Sequence, residues 1–179
     1  MRTATLVLVA YVLSVIVASV WRYLPGFTHD AIPAIGALTA AYLGHTTRPY
    51  RAPATAGAVV LGYLMDVISG TPVGMSCLVL GMTADIARST QQRIFVRGTA
   101  MTIGFCAFIA LFAGLSKMLV SVVFGIPRPA VALELQQLAL ISLSTALFGP
   151  LVWRLFRRID AAYARTHRER DAALEGLAP

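Results

Sequence analysis

Two carboxylates stand inside apolar runs, and each closes a row of small residues spaced by four: Ala54, Ala58, Gly62 and Asp66, then Cys77, Gly81 and Asp85. Spacing by four keeps residues on one helix face. Small residues on that face let backbones approach closely in a bilayer, where packing holds helices together. A carboxylate at membrane depth costs ~2.5–3.5 kcal/mol at a helix centre on insertion scales, so both rows are expected to face protein rather than lipid. Three roles suit Asp66: acceptor for the backbone N–H groups of the Ser69 to Gly74 turn, contact for a docking partner, or carrier of a proton or ion. Asp85 precedes Arg88 by three positions, a neighbour spacing on a helix that predicts a local ion pair. Lys117 and Glu134 lie in the outer halves of later apolar runs. They could pair with each other, Lys117 could reach Asp66, or its ammonium could extend to the interface along its apolar stem.

Other reactive types are scattered. His29 and His45 fall at segment ends with no second ligand at a metal-binding spacing, which predicts interfacial polar roles. Cys77 and Cys106 sit in separate apolar runs and read as small core residues. The sequence has no phosphate-binding glycine loop, no HExxH and no nucleophile paired with a base. No catalytic, metal-binding or cofactor-binding residue is therefore expected, and the chain does not read as an enzyme.

The elements that must position these residues are membrane helices. Of 179 residues, 58% are hydrophobic and 13% charged, against about 25% charged in soluble domains. The net charge of +7 would suit nucleic acid if it gathered on one soluble face. Here the arginines fall in short runs between apolar segments, the pattern of a polytopic membrane protein. Six segments are read: Ala4 to Leu24, Ala31 to Thr46, Ala54 to Ile68, Val73 to Ala87, Thr99 to Phe124 and Val131 to Phe156. The first is longer than the roughly 7–15 apolar residues of a signal peptide and is read as a retained helix. Backbone polar groups in lipid must be satisfied internally, so all six are expected to be helices.

The third and fourth segments have about 15 residues each, short of the ~20 that cross a bilayer. Between them runs Ser69-Gly70-Thr71-Pro72-Val73-Gly74, rich in turn formers. This predicts a discontinuous pair dipping into the membrane, with its turn buried in the bundle. Helix two carries a further small row, Gly36, Ala40 and Gly44, so helices two to four are expected to form the tight part of the bundle. Residues 1–158 are read as a single transmembrane domain and 159–179 as a basic cytoplasmic tail.

Positive charge sets orientation. One set of segment ends carries twelve arginines, among them Arg2, Arg48, Arg51, Arg88, Arg93 and Arg97, with Arg154, Arg157, Arg158, Arg165, Arg168 and Arg170 after the last segment. The other set carries Arg22 and Arg128, with Lys117 nearby. Both termini are expected in the cytoplasm. Arg154, Arg157 and Arg158 read as an orientation signal in contact with anionic lipid, or as part of a segment that docks a protein. Gly149-Pro150 predicts a kink in the last helix.

The string VVLGYLMDVISGTPVGMSCLVLGMTADIAR resembles the central region of the rod shape-determining MreD family, with its pattern like GLLxDLxSGxPLGxHAL. Gly62, Asp66, Ser69, Gly70, Pro72 and Gly74 match, while Met75-Ser76 departs where the family often has an apolar residue followed by His. The ending LSTALFGPLVWRLFRRID is similar to the family's final helix and basic exit. The resemblance implies a non-enzymatic subunit of the machinery that builds side-wall peptidoglycan in rod-shaped bacteria. It would lie in the inner membrane as a partner of MreC, and through it of MreB, RodA and a penicillin-binding transpeptidase. The implied fold is similar to the six-helix substrate-binding subunits of energy-coupling-factor vitamin transporters. A broken helix pair beside an acid also suits a second expectation, a substrate-binding subunit of a small-molecule transporter.

Overall fold

A computed structural model describes residues 2–21, 23, 31–46, 52–93, 98–126 and 129–175. Among them run six helices: α1 (Arg2–Trp21), α2 (Ile35–Thr46), α3 (Ala52–Ser69), α4 (Met75–Arg93), α5 (Thr99–Val123) and α6 (Val131–Glu175). The protein is all-α. Four of these helices, α1, α3, α5 and the Val131–Arg165 stretch of α6, are long and apolar enough to cross a membrane, which marks a multi-pass integral membrane protein. The expectations for His29 and for Arg22, Arg48, Arg51, Arg97 and Arg128 fall outside the described residues, as do the side chains of Arg93, Arg168 and Arg170.

Stripes of large apolar side chains face outward, while small residues lie at close helix contacts inside. Leu8, Val12, Ile16 and Val20 form an exposed stripe at spacing four on α1, and Leu143, Leu147 and Leu151 form another on α6. Water would penalise such stripes, whereas lipid tails solvate them. The interior holds Ala10, Ala40, Ala41, Ala58, Ala84 and Ala87, all fully or almost fully buried. Buried hydroxyls bond within their own helix: Thr39 Oγ1 donates to the Ile35 carbonyl at 2.8 Å, Thr83 to Val79 at 2.7 Å and Ser142 to Leu138 at 2.6 Å. Each thereby avoids an unpaired polar group in a dry interior.

The short element is α2, and this corrects the expected lengths. Helices α3 and α4 have 18 and 19 residues, while α2 has 12, a rise of about 18 Å against a hydrocarbon core of about 30 Å. It survives at that length because it is surrounded by protein, with Ile35 and every residue from Ala37 to Gly44 buried. Before it, residues 31–34 are non-helical, since Pro33 supplies no N–H for a helical bond there. The Ala34 N–H instead donates to Thr145 Oγ1 of α6 at 3.0 Å. Thr145 is fully buried near the middle of the α6 span. The irregular backbone before α2 is thus tied to a neighbouring helix.

Helices α2, α3 and α4 do pack backbone to backbone. A Cβ on Gly62 would come within 2.6 Å of the Cα and N of Cys77, and one on Gly44 would collide with the Ala84 carbonyl. Between α5 and α6, Gly149 lies against Cys106, where a Cβ would meet the sulfur at 2.5 Å. The last helix continues through Pro150 and through the expected tail boundary at residue 158 to Glu175.

Candidate functional site

Asp66 emerges on the inner face of α3, one turn before its end, and is 1% exposed. The row Ala54, Ala58, Gly62 and Asp66 is buried throughout, as a small face against α4 requires. Helix α3 stops at Ser69 because Gly70 takes φ +64°, the left-handed conformation that commonly terminates helices. Pro72 breaks the helical pattern, and its carbonyl accepts from the Met75 N–H at 3.2 Å. Gly74, at φ +105°, then opens α4. Both glycines hold backbone angles that side chains strain.

The Asp66 carboxylate closes this turn. Oδ1 accepts from Thr71 Oγ1 at 2.8 Å, Oδ2 accepts from the Gly74 N–H at 2.9 Å, and the Ser76 N–H reaches both oxygens at 3.0 and 3.1 Å. The first N–H groups of a helix lack intrahelical partners. An acceptor supplied by the preceding helix therefore caps α4 and stitches it to α3, with negative charge at the positive end of the helix dipole. The expected backbone acceptance by Asp66 is present in the geometry, with Thr71 and Ser76 as partners that spacing alone had not singled out.

The turn itself is not buried. Ser69, Gly70, Pro72 and Val73 are exposed at the end of the bundle, so the expectation of a loop dipping between helices three and four is corrected. A tight capped turn suffices because α3 and α4 are full-length helices rather than halves of a broken one. Ser69 and Ser76 border an open cavity of about 430 Å³ that also touches the irregular backbone at Ile32 and Pro33, and Lys117 lies on its wall.

The remaining expected residues are dispersed. Asp85 is exposed, contrary to the expectation that its row faces protein, and it accepts from Thr55 Oγ1 of α3 at 3.2 Å. Arg88, one turn further along α4, is half-buried. Lys117 is exposed and Glu134 half-buried at the opposite end of the bundle from Asp85. His45 stacks on Trp153 at a centroid distance of 5.5 Å, inside an aromatic cluster with Phe105 and Tyr42. Arg154, Arg157 and Arg158 are exposed on α6 beside the start of α5.

A second polar constellation went unnoticed in the sequence. Arg2 of α1 donates through Nε and Nη2 to both carboxylate oxygens of Asp160 in α6, at 2.6 and 2.5 Å. Tyr42 of α2 donates its phenol to the same carboxylate at 2.6 Å, and Thr5 and Tyr163 share a hydrogen bond at 2.5 Å. Asp160 and Tyr163 are three apart and so share a helix face, the one signal that could have shown this stretch to be packed rather than a free tail. The constellation holds the beginning of α1 and the late part of α6 at the same end of the bundle.

Both constellations are carboxylate-centred ties between helices. Compared with protein-family models, curated proteins and solved structures, the chain matches none.

Proposed function

We propose that this protein is a non-enzymatic membrane scaffold of the MreD type, a subunit of the bacterial cell-wall elongation machinery that binds an MreC-like protein. In this reading it lies in the inner membrane, all six helices traverse the bilayer, and both termini face the cytoplasm. The reading implies a fold similar to that of energy-coupling-factor substrate-binding subunits. MreB, RodA and a penicillin-binding transpeptidase are reached indirectly through the MreC-like partner.

The observation that carries the reading is the geometry of the central motif. Gly62 lies at the α3–α4 backbone contact, Asp66 caps α4, and Gly70 and Gly74 hold positive φ. The residues on which the resemblance rests are thus the ones whose spacing has a physical job. Beside them, Val59, Val60, Tyr63 and Val67 leave an exposed apolar face on α3. Such a face suits lipid or a single-span partner helix. Depletion in a rod-shaped host is expected to round the cells; cells that stay rod-shaped at full depletion contradict the proposal.

One feature favours a second reading, a substrate-binding transport subunit. The cavity of about 430 Å³ is bordered by irregular backbone at Ile32 and Pro33 and by Lys117, and transporter sites commonly lie beside interrupted helices. That reading expects a vitamin-sized molecule to remain bound through purification, together with an ATPase partner.

A further inference from the structure

Two surface cavities meet on α6 and share Arg154 and Arg158. The first, about 750 Å³, is polar and is walled by Arg154, Arg157 and Arg158 on one side and by Thr99 and Thr102 of α5 on the other. The second, about 530 Å³, is an apolar groove between α1 and α6 lined by Leu13, Val17, Trp21, Leu151 and Leu155. Trp21 and Phe148 stack edge to face at 5.7 Å across its far end. Val20 and Leu147, next in sequence to the lining residues Trp21 and Phe148, are exposed, so the groove borders the apolar stripes of α1 and α6.

We propose that these paired cavities bind one anionic phospholipid, with the phosphodiester on Arg154, Arg157 and Arg158 and an acyl chain along the α1–α6 groove. The assignment goes beyond the scaffold reading and does not depend on it. Charge complementarity selects the occupant. Guanidinium groups bond phosphate oxygens in pairs, whereas the adjoining groove offers carbon walls with two arginines at one mouth. A free phosphate would leave that groove unused. A partner helix would place no anion against three arginines unless it carried acids at the matching level. A phospholipid supplies both chemistries within one molecule. Helices α1 and α6 are tied at one end of the bundle by Arg2 and Asp160, and a lipid between them would fill the gap above that tie.

The test uses the full chain, purified in mild detergent, stripped of lipid and titrated under native mass spectrometry. The probes are phosphatidylglycerol, phosphatidylcholine of the same acyl chains, glycerophosphoglycerol without chains, and inorganic phosphate. Phosphatidylglycerol is expected to give a discrete one-lipid adduct that survives activation, with phosphatidylcholine held more weakly. Joint Arg154→Gln and Arg158→Gln substitution is expected to lower phosphatidylglycerol affinity roughly thirtyfold. Leu151→Trp, which fills the groove without touching charge, should weaken the same adduct, while Arg165→Gln, outside both cavities, leaves it unchanged. Equal retention of phosphatidylglycerol and phosphatidylcholine overturns the site. Displacement of the lipid by inorganic phosphate or by the chain-free headgroup overturns the lipid in favour of a free anion. An adduct indifferent to both the arginine and the groove variants also overturns it. The comparison of probes on the unaltered protein decides the matter even if a variant fails to fold.

Discussion

Arg2 and Asp160, 158 positions apart in sequence, meet through two hydrogen bonds of 2.6 and 2.5 Å. Through this bidentate pair α1 and α6 are held at one end of the bundle, and Tyr42 of α2 joins the same carboxylate. The pair is partly exposed, so solvent screens it and its worth falls below that of a dry ion pair. Asp160→Ala is expected to lower stability by about 1–2 kcal/mol, read as an earlier unfolding midpoint in detergent. A double-mutant cycle with Arg2→Ala should return a coupling energy above zero; strictly additive effects would contradict the clasp.

Asp66→Ala removes the acceptor for Thr71 and for the Gly74 and Ser76 N–H groups. A cost of about 2–3 kcal/mol is expected, combining a lost cap with orphaned donors. Asp66→Asn keeps one carbonyl oxygen and should cost less. Thermal unfolding of both variants in the same detergent checks the order. If the Asn variant proved as stable as the parent while activity in cells collapsed, the role of Asp66 would be one of charge rather than capping.

Glycine substitutions should separate sharply by position. Gly62→Ala places a Cβ 2.6 Å from the Cys77 backbone and must push α3 from α4, costing about 1–3 kcal/mol. Gly104→Ala in α5 meets nothing within 4 Å and is expected to be neutral or to stabilise by about 0.5–1 kcal/mol. Similar melting temperatures for the two variants would undo the account of close helix packing.

Much of this architecture was legible because it is local. Helix count followed from the apolar segments, and the Asp66 cap followed from a carboxylate one turn before a Gly/Pro turn. What escaped depends on contacts distant in sequence. Nothing near Ile35 shows that α2 is enclosed by other helices and can therefore be short. The Thr145 partner of Ala34 lies 111 residues away. Asp160 read as part of a solvated basic stretch because its partners, Arg2 and Tyr42, are far off in the chain. Asp85 shows the opposite failure: spacing placed it on the face of Gly81, yet one turn nearer the helix end the side chain is exposed, with a hydrogen bond from Thr55 of α3.

Thr145→Val retains shape but removes the acceptor for the Ala34 N–H. A loss of about 1 kcal/mol is expected for a part-buried donor left unpaired. Hydrogen exchange supplies the local readout, with the Ala34 amide losing protection while amides in the middle of α5 keep theirs. Unchanged protection at Ala34 would show that the irregular backbone before α2 is satisfied in another way.

The scaffold proposal is tested most directly by what the tagged, full-length chain carries out of its native membrane. Quantitative mass spectrometry of the purified complex is expected to find a single-span MreC-like protein, retained through size exclusion. Recovery of the chain instead with a bound vitamin and an ATPase, and without any MreC-like protein, would contradict the account.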